Sequence, residues 1–117
     1  MPSQNRLFGD RAEALAERFF CEQGFRVITR NFLTRYGELD LVIEKNRTLH
    51  VIEVKARATS FQSPFEAITQ KKRHHLARAL ELWLRQHSTY QTYNHQIDAF
   101  CLWREGGEWK TTWLEGI

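Results

Sequence analysis

Two acidic residues and a lysine stand out in this 117-residue chain, because they interrupt apolar stretches that are typical of interior β-strands. Asp40 lies in the stretch GELDLVIE, and Glu53 and Lys55 lie in the stretch VIEVKAR. Successive side chains of a strand point to opposite faces, so Glu53 and Lys55 share one face. Carboxylates can bind a hard cation such as Mg²⁺, and a cation beside a lysine can promote hydrolysis of a phosphodiester.

The turn between the two stretches decides whether Asp40 and Glu53 meet. An even-numbered loop of two or four residues, centred on Asn46–Arg47, places Asp40 across from Glu53 and Glu38 across from Lys55. Opposed Cβ atoms lie about 4.5–5.5 Å apart, and opposed like charges destabilise a sheet, so a divalent cation would offset the repulsion. The alternative is that these are solvated strand charges without a chemical role. The opposite face would carry Leu39, Leu41 and Ile43.

Hydrophobic periodicity and turn signals predict seven elements that must position these residues. They are a helix at 8–23, strands at 25–33, 38–44 and 49–57, a second helix that ends near residue 86, and strands at 95–103 and 108–114. A capping pattern at 63–66 predicts the start of the second helix, and Thr69 offers a second start after a break. The order α-β-β-β-α-β-β predicts an α/β domain over residues 1–117, with a mixed sheet flanked by helices.

Each predicted helix has one apolar stripe for packing on the sheet. The first stripe consists of Phe8, Ala12, Leu15, Ala16, Phe19 and Phe20, and the second of Leu76, Ala77, Leu80, Trp83 and Leu84. Glu13 lies at the flank of the first stripe. The four tryptophans are expected in the core rather than as stacking platforms for bases, although Trp109 beside a Gly-Gly turn could be exposed.

Charge and cysteine content limit the classes of protein. The formal net charge is +3, and basic residues gather between Lys71 and Arg85, where they either contact phosphates or form a solvated helix face. Cys21 and Cys101 have no partner at metal-ligand spacing, so both are expected to be buried thiols in a reducing compartment. The sequence shows no membrane span and no signal peptide, which predicts a cytoplasmic protein without a membrane partner.

Several stretches together resemble the YraN-like family of short bacterial proteins. The stretches are FGDRAEALA, GELDLVIE, HVIEVKAR, SPFEAITQKKRHHL and IDAF, and they cover most of the chain. That family is similar to the PD-(D/E)XK nuclease superfamily and, distantly, to archaeal Holliday-junction resolvases. The resemblance implies a restriction-endonuclease-like core. Two positions depart from the family pattern, since Ala12 stands where many relatives have glycine and Gln70 where many have proline.

The resemblance also implies a function, namely a metal-dependent endonuclease that hydrolyses DNA, with branched or structured DNA among its substrates. Asp40 and Glu53 would bind Mg²⁺ or Mn²⁺. Lys55 would assist the attacking water, and Glu13 would approach the metal from the first helix. Contacts to the nucleic acid would come from Arg57, Gln70, Lys71 and Lys72. Cutting a symmetric junction would require a two-fold homodimer, because two cuts need two sites.

Other interpretations stay open at this point. The chain could be a nucleic-acid-binding module without turnover, or a protein scaffold that binds through its tryptophans. Glu13 could pair with a neighbouring base such as Arg11 or Arg18, and Glu38 could pair with Lys55 or lie exposed. Lys72 could be an ordinary solvated lysine, and Gln70 a surface substitution. Structural roles are favoured for two further candidates. His74 and His75 point about 100° apart on a helix, so they make a poor pair of metal ligands, and Asp98 could stabilise the sheet edge.

Overall fold

The computed structural model describes residues 4–59 and 68–117, with side chains from residue 8 onward. Its elements are α1 (Gln4–Glu22), β1 (Arg26–Thr34), β2 (Gly37–Lys45), β3 (Thr48–Arg57), α2 (Gln70–Gln86), β4 (Asn94–Glu105) and β5 (Glu108–Leu114), with a 3₁₀ turn at Ser88–Tyr90. This order confirms the predicted one. The capping pattern at 63–66 lies outside the described residues, and α2 as described begins at Gln70 with Thr69 as its N-cap. None of the described helices is long and apolar enough to cross a membrane.

The five strands form one sheet in the order β1-β2-β3-β4-β5. The first three strands pair antiparallel, β4 runs parallel to β3, and β5 returns antiparallel along β4. A parallel pair needs a crossover connection, and α2 lies in that connection. The predicted mixed sheet is therefore confirmed, and α1 and α2 pack on its two faces.

On one face, α1 packs its predicted apolar stripe against the sheet. Its residues Ala12, Ala16 and Phe20 are buried against Phe25, which precedes β1, and against the strand residues Leu41, Ile43, Ile52, Phe100 and Leu102. Trp109 and Trp113 pack on the edge of this group, in agreement with their expected place in the core. Cys101 is buried as predicted, but the prediction for Cys21 is wrong, because this thiol is exposed on α1.

On the other face, α2 packs against the sheet through Leu76, Ala79, Leu80 and Trp83. The prediction of Ala77 in this stripe is wrong, since Ala77 is exposed and Ala79 is buried in its place. The indole Nε1 of Trp83 donates a hydrogen bond to Thr29 Oγ1 at 2.9 Å, which ties α2 to β1.

The hairpin of β2 and β3 turns through Asn46–Arg47, whose φ angles are 52° and 60°. Both angles lie in the left-handed region that a two-residue hairpin turn requires. Pairing runs from this turn to Leu41–Ile52 in the predicted even register, which is confirmed. Beyond Leu41–Ile52 the two described strands no longer pair, so the prediction that Asp40 and Glu53 form a cross-strand pair is wrong.

Near the Leu41–Ile52 pair, the side chains of β1 and β2 stop alternating regularly between the two faces of the sheet. We refer to this change as the inversion. Asn31 in β1 has a φ angle of 53°, in the left-handed region that Asn tolerates better than most residues. In β2, Leu39 packs with the α2 side of the core, whereas Leu41 and Ile43 pack with the α1 side. The prediction that these three residues share a face is therefore wrong for Leu39. The inversion leaves Asn31 and Asp40 lining a hollow beside α1.

Candidate functional site

Three carboxylates from two elements meet where the hairpin of β2 and β3 opens. Glu13 of α1, and Glu38 and Asp40 of β2, each place one oxygen within 4.8 Å of the others. We refer to these three residues as the acidic cluster. Asn31 of β1 joins them: with its amide nitrogen toward the acids, it donates to Glu38 Oε1 at 2.7 Å and to Glu13 Oε2 at 3.3 Å. The inversion of β1 and β2 brings Asn31 and Asp40 to the side on which α1 carries Glu13.

Asp40 connects the acidic cluster to β3. Its Oδ2 accepts a hydrogen bond from the Val54 backbone amide at 2.8 Å, at the level where backbone pairing has ended. Burial raises the pKa of Asp40 to about 7, and the charges of Glu53, Glu13 and Glu38 add to this increase. The bond from Val54 opposes the increase only in part. Ionisation of Asp40 therefore costs more free energy than that of an exposed aspartate, and a cation close by would offset this cost.

Glu53 lies beside the acidic cluster and is nearly inaccessible to solvent, with 4% of its surface exposed. Its Oε1 lies 3.6 Å from Lys72 Nζ and 3.7 Å from Lys55 Nζ. Its Oε2 accepts no hydrogen bond from any residue that the structure describes. Burial raises the pKa of Glu53, and the lysine charges lower it only in part. A buried carboxylate oxygen without a donor is costly, and a bound cation would relieve that cost.

These carboxylates fit a hard divalent cation. Besides burial, which contributes most, the charge of Glu53 raises the pKa of both Asp40 and Glu13, so the residues lie within electrostatic reach of one another. Carboxylate oxygens are the ligands that Mg²⁺ and Mn²⁺ prefer. The two predicted ligands, Asp40 and Glu53, could therefore bind such an ion, with Glu13 and Glu38 close to it.

Two ion pairs considered for this site do not occur among the described residues. Glu38 neither pairs with Lys55 nor lies fully exposed, because it belongs to the acidic cluster and Lys55 contacts Glu53. The alternative in which Glu13 pairs with a neighbouring base finds no support among the described ion pairs. In those pairs, Arg18 contacts Glu22 and Arg30 contacts Glu17.

The residues predicted to contact nucleic acid fall into two groups. Arg57, Gln70 and Lys71 are exposed, the first at the end of β3 and the others in the first turn of α2. Lys72 is half-buried and pairs with Glu53, so it is not an ordinary solvated lysine. The first turn of α2 therefore supplies both a surface charge and a charge within the site.

Asp98 and His50 form a second, separate cluster, whose contacts indicate a structural role. Asp98 is fully buried. It accepts hydrogen bonds of 2.8–3.0 Å from the side chains of His50, Gln96 and Trp113 and from the backbone amide of Gly116. Burial raises the pKa of Asp98, but these hydrogen bonds lower it more, so the pKa lies below its ordinary value. Asp98 therefore stabilises the sheet, in agreement with its structural interpretation.

Comparison with known proteins gives the family of the chain. The model of the Uncharacterised protein family UPF0102 matches residues 12–102, a span that includes the acidic cluster, Glu53 and both lysines. The chain belongs to this family. Membership in UPF0102 confirms the YraN-like resemblance drawn from the motifs.

Individual UPF0102 proteins are similar over most of the chain. One from Vibrio parahaemolyticus is 31% identical over 111 residues, which cover 94% of this chain and 90% of the relative. Another, from Syntrophomonas wolfei, is 45% identical over 82 residues, which cover 69% of this chain and 71% of the relative. A third, from Vibrio campbellii, is 38% identical over 82 residues, which cover 69% and 67%.

Sequence reasoning missed two contacts in this UPF0102 protein. It assigned no role to Asn31, although asparagine adopts the left-handed region more readily than most residues. It also assigned Lys72 to the surface, since no local pattern shows that a residue of α2 reaches Glu53. The first contact had a sequence signal, whereas the second depends on how the helix packs.

Proposed function

We propose that this protein is a metal-dependent nuclease that hydrolyses phosphodiester bonds of DNA, with branched or structured DNA among its substrates. The observation that carries the proposal is the buried Glu53, whose Oε2 has no donor among the described residues and whose Oε1 faces two lysines. Asp40 lies beside it with a pKa raised to about 7 by burial and by neighbouring acids. Burial of Glu53 and Asp40 near each other with few donors is costly, which favours a functional role over a purely structural one.

The residues of the site divide between metal binding and substrate binding. Asp40 and Glu53 would hold Mg²⁺ or Mn²⁺, with Glu13 and Glu38 adjacent. When bound, the cation supplies Lewis-acid activation of the phosphoryl group and of the attacking water. Phosphates on either side of the cut would be held by the exposed Arg57, Gln70 and Lys71 and by Lys72 of the first turn of α2.

The surroundings of Lys55 support a role for it in assisting hydrolysis. Its side chain is 40% exposed, while its Nζ lies 3.7 Å from the buried Glu53 Oε1. The ammonium group can therefore face both the proposed metal ligand and an incoming substrate. In this place it would orient the water and stabilise the negative charge that develops on the phosphoryl oxygens.

A cleavage assay tests the proposal directly. Purified protein is incubated with four-way junction, flap, single-stranded and linear DNA in Mg²⁺, in Mn²⁺ or in chelator. We expect metal-dependent cleavage that falls about 100-fold or more in each of Asp40→Asn, Glu53→Gln and Lys55→Met. The control is Lys110→Met, which removes a lysine that pairs with Glu108 on β5, and this variant should retain the activity. Cleavage of equal strength in all variants would indicate a contaminant and refute the proposal.

A nucleic-acid-binding module without turnover is the second candidate function. The observation that favours it is the basic and exposed start of α2, which needs no catalysis to bind phosphates. Salt-dependent binding without cleavage of any of the four DNA forms would support this function instead. A scaffold that binds through tryptophans has less support, because Trp83 is buried and Trp109 and Trp113 are partly buried against the edge of the core. If a symmetric junction is the preferred DNA, the active form should be a homodimer in light scattering.

A further inference from the structure

Lys72 differs from the other basic residues at the start of α2, because it points its charge at an acid of the site. Its Nζ lies 3.6 Å from Glu53 Oε1, and its side chain is 35% exposed. The neighbouring Lys71 and Arg73 are exposed, and no ion pair within the described residues involves either. Lys72 therefore has a contact that its neighbours lack.

Lys72 lies in the first turn of α2, where the helix itself does not favour a positive charge. Its backbone amide donates to the side-chain oxygen of Thr69 at 3.0 Å, so the N-cap fixes the first turn of α2. Cations are unfavourable in a first turn because the helix macrodipole is positive there. Local helix physics thus gives no reason for a lysine at this position, whereas the ion pair with the buried Glu53 does.

The two oxygens of Glu53 are in opposite situations. Oε1 faces two ammonium groups, and Oε2 has no donor among the residues that the structure describes. A divalent cation that binds this carboxylate would bring two further positive charges close to Lys72. Like charges repel at this separation, so Lys72 and the cation compete for Glu53.

We propose that Lys72 is a positioning residue that neutralises Glu53 until a divalent cation binds, and that it then turns to a phosphate of the DNA. This inference depends on the metal-binding part of the proposed function, since it assumes that Glu53 is a metal ligand, and it does not depend on cleavage. Its consequence is that metal and DNA each strengthen the binding of the other, because linkage between two sites is reciprocal.

Lys72 suits this exchange better than Lys55. Lys55 lies two residues from Glu53 on the same face of β3, so its backbone moves with the carboxylate. Lys72 comes from another element, and exposed residues of the same helix turn, Gln70 and Lys71, lie where a phosphate could be bound. Rotation of its long side chain can move the charge from the acid to the substrate without movement of the helix.

The experiment measures binding rather than cleavage. All variants are made in the Lys55→Met protein, which retains the acids and lacks the residue proposed to assist hydrolysis. Mg²⁺ affinity is measured by calorimetry, and affinity for a four-way junction is measured by fluorescence anisotropy with and without Mg²⁺. In the Lys55→Met protein we expect Mg²⁺ to strengthen junction binding about fivefold or more. Addition of Lys72→Met should make Mg²⁺ bind about tenfold more tightly and should abolish this strengthening of junction binding.

Three further variants separate this exchange from other effects. Lys71→Met should weaken junction binding by the same factor with and without Mg²⁺, since Lys71 is exposed and forms no ion pair with Glu53 among the described residues. Lys72→Arg should retain the improvement, because it keeps the charge. Asp40→Asn should lose Mg²⁺ binding, so that in this variant Mg²⁺ only weakens junction binding through screening.

The possible outcomes distinguish this inference from the proposed function. If Lys72→Met leaves both Mg²⁺ affinity and the improvement unchanged, or weakens Mg²⁺ binding, the inference on Lys72 is wrong even where the unmodified protein cleaves DNA. If the coupling is present but the unmodified protein cleaves none of the DNA forms, the inference is supported and the nuclease proposal is wrong. Absence of both Mg²⁺ and Mn²⁺ binding in the unmodified protein would overturn both.

Discussion

At the scale of single residues, Asp40 and Asp98 show how one sheet can hold two buried acids in opposite states. Asp98 is surrounded by hydrogen-bond donors, which hold its pKa below the ordinary value against the effect of burial. Asp40 receives one backbone donor, and burial together with neighbouring acids raises its pKa to about 7. The charge of Asp98 is therefore stabilised by the fold, whereas that of Asp40 opposes folding. An acid that opposes folding is typical of a functional site rather than of a structural one.

This contrast predicts that Asp40→Asn stabilises the metal-free protein. The folded-state pKa of about 7 lies above the ordinary value of 3.8, so the folded state binds more protons between these values. The free energy of unfolding therefore falls as pH rises from about 4 to about 7. Asparagine remains neutral, and its oxygen can still accept the Val54 bond. We expect a gain near zero at pH 4 and of about 4 kcal/mol at pH 8, because each pKa unit corresponds to about 1.4 kcal/mol, and urea unfolding measures it.

Two comparisons make this prediction specific. Glu22→Gln, which changes an exposed acid on α1, should leave the pH dependence of unfolding unchanged. Saturating MgCl₂ should raise the unfolding temperature of the unmodified protein and have no such effect on Asp40→Asn. A less stable Asp40→Asn protein at pH 8 would show that Asp40 is well compensated in the fold, and that the acids are not strained in the absence of metal.

At the scale of elements, the inversion in β1 and β2 decides where the acids lie. A regular pair of strands would keep Leu39 and Leu41 on one face, but these two residues pack on opposite sides of the sheet. The left-handed Asn31 lies at the same level, and its amide contacts Glu13 and Glu38. Asn31 thus has a conformational and a hydrogen-bonding role in the same short stretch.

Two substitutions separate the roles of Asn31. In Asn31→Ala, an alanine must adopt the left-handed region, which alanine tolerates less well than asparagine does. In Asn31→Gly, glycine adopts that region freely. Both variants lose the amide. We therefore expect the Gly variant to be more stable than the Ala variant by about 1 kcal/mol in urea unfolding.

The matched control is Asn94, an exposed strand residue that is not among those with a positive φ angle. At this position the order should reverse, and Ala should be the more stable replacement because Gly weakens a strand. Equal stability of the two Asn31 variants would argue that the left-handed conformation is not maintained in solution.

At the scale of the whole molecule, one buried carboxylate connects segments that are distant in sequence. Asp98 of β4 accepts hydrogen bonds from His50 of β3, Trp113 of β5 and Gly116 beyond β5. These bonds join the parallel pair of strands to the final antiparallel strand and to the C-terminal end. The integrity of this part of the sheet therefore depends on a negative charge at position 98.

We expect Asp98→Asn to destabilise the whole molecule by about 2–4 kcal/mol at neutral pH, because an amide nitrogen would face donors that then lack an acceptor. The pKa of Asp98 is lowered in the folded state, so its contribution is present above the unfolded pKa and is lost as pH falls through the lower folded value. The difference between variant and unmodified protein should therefore narrow in acid. Urea unfolding at several pH values measures this, with Glu108→Gln as an exposed control. A constant difference would argue against the charge of Asp98 as the cause.

The sequence by itself determined the order of the elements and the hairpin register, and it pointed to Asp40, Glu53, Lys55 and Glu13 as candidates for one site. The register followed from local chemistry, because Asn46–Arg47 can adopt a two-residue left-handed turn and a shift by one residue would exchange the faces. The pattern of Asp40, Glu53 and Lys55 could also be recognised from local sequence, because the three residues lie on two strands that are adjacent in the chain. The second-helix stripe was right except at Ala77, where small apolar residues on neighbouring positions give little signal.

Tertiary structure alone decided how the site is assembled. The strands separate beyond Leu41–Ile52, so Asp40 bonds the Val54 amide instead of facing Glu53 in the ladder. Packing of α2 brings Lys72 to Glu53, and inversion at Asn31 turns Asp40 toward Glu13. Local periodicity cannot encode these contacts, because they depend on the end of a ladder, the rotation of a helix and the proximity of residues far apart in the chain.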